Sequence, residues 1–249
     1  SNNSKSAFTP KKMFKYSPAL LNIYLHGKSD LKFFSGAENG FKATLLDLVN
    51  KEYIIFLNTY DSNLDKKNKH NKGLFVKINE KKGVSKLKPY EMDVINFLKP
   101  YGKKGAIPLY FIKEDLNNLK PSKKFESKYK SWKKHLENEY STIKFFKGDS
   151  SELMKELNDF KSYISGQGIN NADIYLDDIN KYLVYGVALG IEKETMKNFE
   201  KYFDKNTLRD SEIYQILKFN GLNFVEQGIK GSYLIKSGDH NQYTGFYGY

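Results

Sequence analysis

Four histidines, His26, His70, His135 and His240, are the side chains of this 249-residue sequence best suited to hold a metal or move a proton. None stands three or four residues from another histidine, and none has a carboxylate partner at helical spacing on an apolar face. Their spacing predicts neither a metal site nor a cofactor. Cysteine is absent, which removes disulfides, thiolate nucleophiles and cysteine metal sites together and suits a reducing compartment. The run Gly36-Ala-Glu-Asn-Gly40-Phe-Lys42 lacks the spacing and the preceding strand of a phosphate-binding loop and reads as a turn. Gly166-Gln-Gly168 is equally unspecific. Asp177-Asp178 has the composition of an acid–base pair or a cation ligand, yet two carboxylates just ahead of an apolar helix are explained by its dipole. The sequence predicts no catalytic constellation, hence a protein that is not an enzyme.

Charge is the chemistry that remains. Lysine and arginine outnumber aspartate and glutamate by 41 to 29, a formal charge of +12. The excess is confined to residues 1–147, which carry 30 cations against 14 anions, whereas residues 148–249 carry 11 against 15. Such asymmetry suggests an anionic neighbour, nucleic acid or a membrane surface, with lysine-favouring codon usage as the rival explanation. Two clusters concentrate it. Lys66, Lys67, Lys69 and Lys72, with His70 among them, occupy a loop where flexible cations could meet phosphates, or which is simply solvated. Lys123, Lys124, Lys128, Lys130, Lys133 and Lys134 surround the apolar stripe Phe125, Tyr129, Trp132. That is a basic amphipathic helix, able either to lie on anionic lipid or to pack its stripe into a core with a charged back.

The elements that would carry these clusters follow from periodicity. Apolar content of 39%, with 15% aromatic residues, supports a folded core, while 28% charged residues and a mean hydropathy of -0.64 imply a wet surface. A helix is expected from Pro18 toward Leu25, a turn at Asn39-Gly40, then a helical stripe at Phe41, Leu45, Leu48 and Val49. Tyr53–Tyr60 and Gly73–Asn79 read as strands flanking the lysine-rich loop. Helix, helix, strand, loop, strand is the order of a winged helix, with the loop as its wing. Pro89 opens a further helix using Tyr90, Val94, Phe97 and Leu98. Ser122 is the expected cap of the basic helix, which should end by Tyr140 and give way to an extended Ser141–Phe146, a faint second copy of the same unit. Asp149 and Glu152 have capping-box spacing ahead of a stripe at Leu153, Leu157, Phe160 and Ile164. The most apolar stretch, Asp177–Phe203, reads as two helices meeting at Gly190 in a Schellman turn, the first using Ile179, Tyr182, Leu183, Val187 and Ala188, the second Met196, Phe199 and Phe203. Asp210 or Ser211 should cap a shorter helix through Ile213, Ile216 and Leu217.

Two passages carry a family resemblance. Lys-Tyr-Leu-Val-Tyr-Gly-Val-Ala-Leu-Gly-Ile-Glu-Lys at 181–193 is preceded by Asp159-Phe-Lys-Ser-Tyr-Ile164, and Ser17-Pro18-Ala19 is followed by the segment Ala43–Ile54. Together they resemble the C-terminal cytoplasmic region of the domain-of-unknown-function family 2207, predicted membrane proteins of bacteria and archaea. The resemblance spans Ser17 to Phe203 and rests on packing residues, so it implies a fold more than an activity. Glu52 departs from it, because the family usually has glycine there. The family commonly has a membrane-spanning hairpin just before the Phe160 helix, and no such span is present. Lys147-Gly148-Asp149-Ser150 is therefore either a natural loop or the scar of a deleted hairpin, and Ser1-Asn2 resembles a tag-cleavage remnant.

The expected fold is α+β and predominantly helical, with tandem winged-helix-like units followed by a helical C-terminal part. Its expected segments are a disordered basic N-terminus over 1–16, winged-helix-like units over 17–88 and 89–148, the helical part over 149–227 and a flexible glycine- and tyrosine-rich tail over 228–249. The resemblance implies a non-catalytic interaction or scaffolding domain on the cytoplasmic side of the membrane. Its expected partner is an anionic membrane surface or another protein at the membrane; whether it takes a small-molecule ligand is left open. Nucleic-acid binding is the rival, weakened because the candidate recognition helix Phe41–Lys51 offers only Lys42 and Lys51 as cations and no arginine.

Overall fold

In the computed structural model, residues 12–26, 36–59, 73–143, 151–166, 169 and 174–236 are described, and they form eleven helices and a small sheet. Pro18 opens α1 (Pro18–His26) at a position where a missing N–H costs nothing. Next comes α2 (Ala37–Asn50), then the hairpin of β1 (Ile54–Asn58) and β2 (Leu74–Ile78). The strands pair antiparallel with Phe56 opposite Val76. Their alternation buries Ile54, Phe56, Leu74 and Val76 and leaves Ile55 and Leu57 facing outward. The lysine-rich loop at 60–72 lies outside the described residues.

Next, α3 (Pro89–Leu98) starts with one half of a capping box, in which the Lys88 backbone N–H donates to the Glu91 carboxylate at 3.0 Å. The two-residue β3 (Ile107–Pro108) adds to β2, Ile107 opposite Val76, making one antiparallel sheet in the order β1-β2-β3. Among the described residues, the one strand of the second expected unit thus completes the sheet of the first, and that unit has no hairpin of its own. The rest is helical: α4 (Leu109–Asp115), α5 (Leu119–Thr142), α6 (Ser151–Ser165), α7 (Leu176–Ala188), α8 (Glu192–Tyr202), α9 (Lys205–Arg209), α10 (Glu212–Lys218) and α11 (Asn223–Lys236). The α+β, predominantly helical expectation holds.

One contiguous apolar core joins Met13 to Val225. Its axis is α2, which packs against α1, α3, α7, α10, α11 and β1. The apolar helix pair behaves as expected: α7 buries Ile179, Leu183, Val187 and Ala188, and Gly190 has φ +79°. The Ile191 N–H donates to the Gly186 carbonyl at 3.0 Å and the Gly190 N–H to that of Val187 at 3.1 Å, the two bonds of a Schellman turn. Ser211 caps α10 by accepting from the Tyr214 N–H at 3.0 Å.

Five expectations are corrected by packing. Asn39-Gly40 is no turn but the first part of α2: Gly40 lets Asn22 and the Trp132 ring approach so closely that a Cβ would sit 2.7 Å from Asn22 Oδ1. Ser122 does not cap α5; Asn118 holds that position, while Ser122 is buried inside the helix and donates to the Leu116 carbonyl at 2.7 Å. Likewise α5 runs on through Thr142, so no strand starts at Ser141, and residues 144–150, with Asp149 and the questioned linker, lie outside the described residues. The segment from Gly228 is helical as far as Lys236 rather than tail. Gly228 is needed where α11 meets α5, since its Cβ would fall 2.5 Å from the Phe125 ring. At the other end, residues 12–16 are anchored rather than disordered: the Lys12 and Met13 N–H groups donate to Glu156 at 2.9 Å, and Phe14 packs between Phe160 and Tyr185.

Candidate functional site

α5 is the longest described helix, 24 residues or about 36 Å. Phe125, Tyr129, Trp132 and Leu136 recur every three or four residues, and all four are at most 4% exposed. The Phe41 ring packs edge-on against Phe125 and Trp132, at centroid distances of 5.8 and 5.4 Å. The Trp132 indole donates to Thr44 Oγ1 at 3.2 Å, and that hydroxyl donates to the Gly40 carbonyl. The apolar stripe is thus consumed by the core, and it cannot enter a bilayer without unfolding the domain.

What faces outward is lysine. Lys123, Lys124, Lys130 and Lys134 are exposed, and Lys128 and Lys133 are half-buried on the flanks. Lys130 pairs with Glu126 at 2.8 Å and the Lys133 ammonium lies over the Tyr129 ring at 5.1 Å. The other expected contacts, Lys66, Lys67, Lys69 and Lys72, lie outside the described residues.

Among the described residues, three of the concavities that border the helices are distinguished by their charge. The first, about 420 Å³, lies where the Lys99–Gly102 turn meets the start of α5. Its wall is Phe97, Pro100, Tyr101 and Pro121, and its charged groups are Lys103, Lys124 and Lys128 against Asp115. The Tyr101 hydroxyl donates to Asp115 Oδ2 at 2.7 Å; burial and that carboxylate push its pKa up. The second cleft, about 530 Å³, has Lys42, Lys193, Lys197 and Lys218 against Glu192, Glu200 and Glu226. Lys42 is ion-paired with Glu226, and Lys218 with Glu200 at 3.0 Å. Burial pushes the Lys42 ammonium down and the Glu192 carboxyl up, each opposed by the other's charge. The third, also about 530 Å³, brings Asp177 beside Lys15, Lys51, Lys181 and Asp47. Lys51 holds Asp47 at 2.8 Å. Positive charge is in clear excess only in the first.

The expected first-turn carboxylates Asp177 and Asp178 do lie in the first turn of α7. Their helix is capped by Tyr175 without a side-chain bond. A serine, a histidine and an aspartate also meet between α3 and α5, yet not as a nucleophile triad. Ser131 Oγ donates to Asp93 Oδ1 at 2.9 Å, and His135 Nδ1 lies 2.6 Å from Asp93 Oδ2. Both thus converge on the carboxylate, whereas a triad needs serine on the ring nitrogen opposite the aspartate. Sequence reasoning missed Lys103, Tyr101 and Asp115. The only local signal was Pro100-Tyr-Gly-Lys-Lys104, a turn followed by two cations.

Elements and clefts together define a mainly helical α+β domain built around an enclosed central helix, with lysine on its open face. Residues 14–169 match the family described as "Predicted membrane protein (DUF2207) C-terminal domain", and the chain belongs to it. No curated protein and no solved structure matches the chain. No helix among the described residues is long and apolar enough to cross a membrane.

Proposed function

We propose that this domain is a non-catalytic docking module that holds its parent membrane protein's cytoplasmic portion against an anionic membrane surface through the lysines of α5. The supporting observation is the division of that helix, whose aromatic stripe is buried while Lys123, Lys124, Lys130 and Lys134 are exposed. Attraction is then electrostatic rather than insertive, about 1 kcal/mol per lysine near the surface. The nucleic-acid rival, a winged-helix reading, would use α2 for recognition. That helix is buried from Gly40 to Val49, leaving no side chain row for a groove.

The test is flotation with vesicles of phosphatidylglycerol and phosphatidylcholine. Binding should need the anionic lipid and weaken with salt. Replacing Lys123, Lys130 and Lys134 together with Gln should lower the partition coefficient about 100-fold at low salt, three lysines at about 1 kcal/mol each. Equal binding to neutral vesicles, or no loss in the triple variant, would overturn the reading; a salt-resistant complex with one duplex DNA would favour the rival.

A further inference from the structure

We infer that the concavity between the Lys99–Gly102 turn and the first turns of α5 is a binding site for a phosphorylated polyol, the chemistry shared by a glycerophospholipid head and a free sugar or glycerol phosphate. This deepens the docking reading and rests on it only for the lipid source. The volume of about 420 Å³ falls in the range of small-molecule sites. Lys103 reaches the site from the turn, and Lys124 and Lys128, one helical turn apart on α5, from the other side. None of the three has an ion-pair partner among the described residues, so their ammonium groups remain available to an anion. Lysine binds phosphate as a point charge, and three around one cavity suit a phosphate ester, whether the singly charged diester of a lipid head or the doubly charged free monoester.

Asp115 is the feature that a plain anion site would lack. Tyr101 donates to Oδ2, and Oδ1 has no partner among the described residues. A carboxylate oxygen on the rim repels phosphate but accepts from a hydroxyl, so the ligand's charged end turns toward the lysines and its hydroxyls toward Asp115. Phe97, Pro100 and Pro121 offer an apolar wall to the carbon skeleton between them. The α5 N-terminus, capped by Asn118 with no carboxylate in its first turn, adds positive potential on the phosphate side.

The probe is glycerol 3-phosphate, followed by amide chemical shifts of the whole chain. Saturable shifts should concentrate at Phe97, Tyr101, Lys103, Lys124 and Lys128, with a Kd on the order of 1 mM, the range for one small charged ligand. Glycerol alone should give none, and inorganic phosphate should bind several-fold more weakly, because it has no carbon skeleton for the apolar wall and no alcohol hydroxyl to reach Asp115 while its charge stays on the lysines. Two triple variants remove the same charge. Lys103→Gln, Lys124→Gln and Lys128→Gln should abolish the shifts; Lys123→Gln, Lys130→Gln and Lys134→Gln should preserve them. Equal loss in both, or shifts spread over all exposed lysines, would overturn the site while leaving electrostatic docking intact. Phosphatidylglycerol vesicles then separate the sources: greater loss of flotation in the pocket variant than in the outer one assigns the site to lipid heads, and equal loss with the glycerol 3-phosphate result retained assigns it to a free ester. If neither triple changes flotation, the docking reading falls and the glycerol 3-phosphate titration alone decides the site.

Discussion

The helices α2 and α5 pack on each other through Phe41, Trp132 and Thr44, yet they meet solvent in opposite ways. α2 is enclosed: Phe41, Leu45, Leu46 and Leu48 are fully buried, and even Lys42 and Asp47 are only 8% exposed. α5 is enclosed along one stripe and keeps an open lysine face. A helix hemmed in by other helices and a strand has no surface to offer, so its polar residues serve the core. Lys42 reaches Glu226 of α11, and Thr44 relays the Trp132 indole to the Gly40 carbonyl. Packing thus leaves α5, not α2, as the helix whose charges can meet a partner.

The largest expected effect tests that contrast. Trp132→Ala should cost about 3 to 5 kcal/mol in denaturant titration, from lost apolar burial and the cavity left against Phe41. Lys134→Gln, on the opposite face of the same helix, should change stability by less than about 0.5 kcal/mol. A loss below about 1 kcal/mol at Trp132, against the range for buried aromatics, would mean that the stripe is not core and would restore an inserting amphipathic helix.

This division was half legible. The stripes of α5 and α6 stand out because each helix has a single buried face, and a 3.6-residue period marks such a face directly. The enclosure of α2 was not legible, because its polar residues imitate an exposed side: Lys42, Thr44 and Asp47 look like solvent positions until their tertiary partners are known. Asn39-Gly40 and Gly228 were misread for a related reason. Glycine signals a turn locally, but here it makes room for Asn22 and Trp132 at one site and for Phe125 at the other. The candidate pocket was legible only in part. Lys124 and Lys128 came from a local cluster, whereas Lys103 and Asp115 join them through the packing of α3, α4 and α5.

The ends of the apolar helices sharpen the contrast at smaller cost. α2 finishes as α7 does, with the Tyr53 N–H donating to the Leu48 carbonyl at 2.9 Å and the Glu52 N–H to that of Val49 at 3.0 Å. Both turns place their pivot in left-handed space, Gly190 at φ +79° and Glu52 at φ +65°. Glutamate suffers a steric penalty there that glycine does not, which accounts for the glycine expected at position 52 from the family resemblance. Glu52→Gly should therefore stabilise by about 1 kcal/mol, and Gly190→Ala should destabilise by a similar amount. A neutral or destabilising Glu52→Gly would show that the glutamate side chain compensates its own strain.

The smallest effect concerns the charge inside α2. Asp47 pairs with Lys51 at 2.8 Å, but burial outweighs that attraction and raises its pKa. A carboxyl whose folded pKa is raised contributes stability that is fully present below its unfolded pKa, about 3.9, and is lost as pH rises through the folded value. The amide in Asp47→Asn does not titrate, so that variant has no such loss. Its stability relative to wild type should therefore improve between about pH 4 and pH 7, whatever its absolute sign after the Lys51 contact is removed. Taking the difference cancels the titration of carboxylates elsewhere in the chain, on the open face of α5 as much as anywhere, and isolates the one on the enclosed helix. A relative stability of Asp47→Asn that falls as pH rises would mean that Lys51 dominates burial, and that α2 is more open to water than its packing indicates.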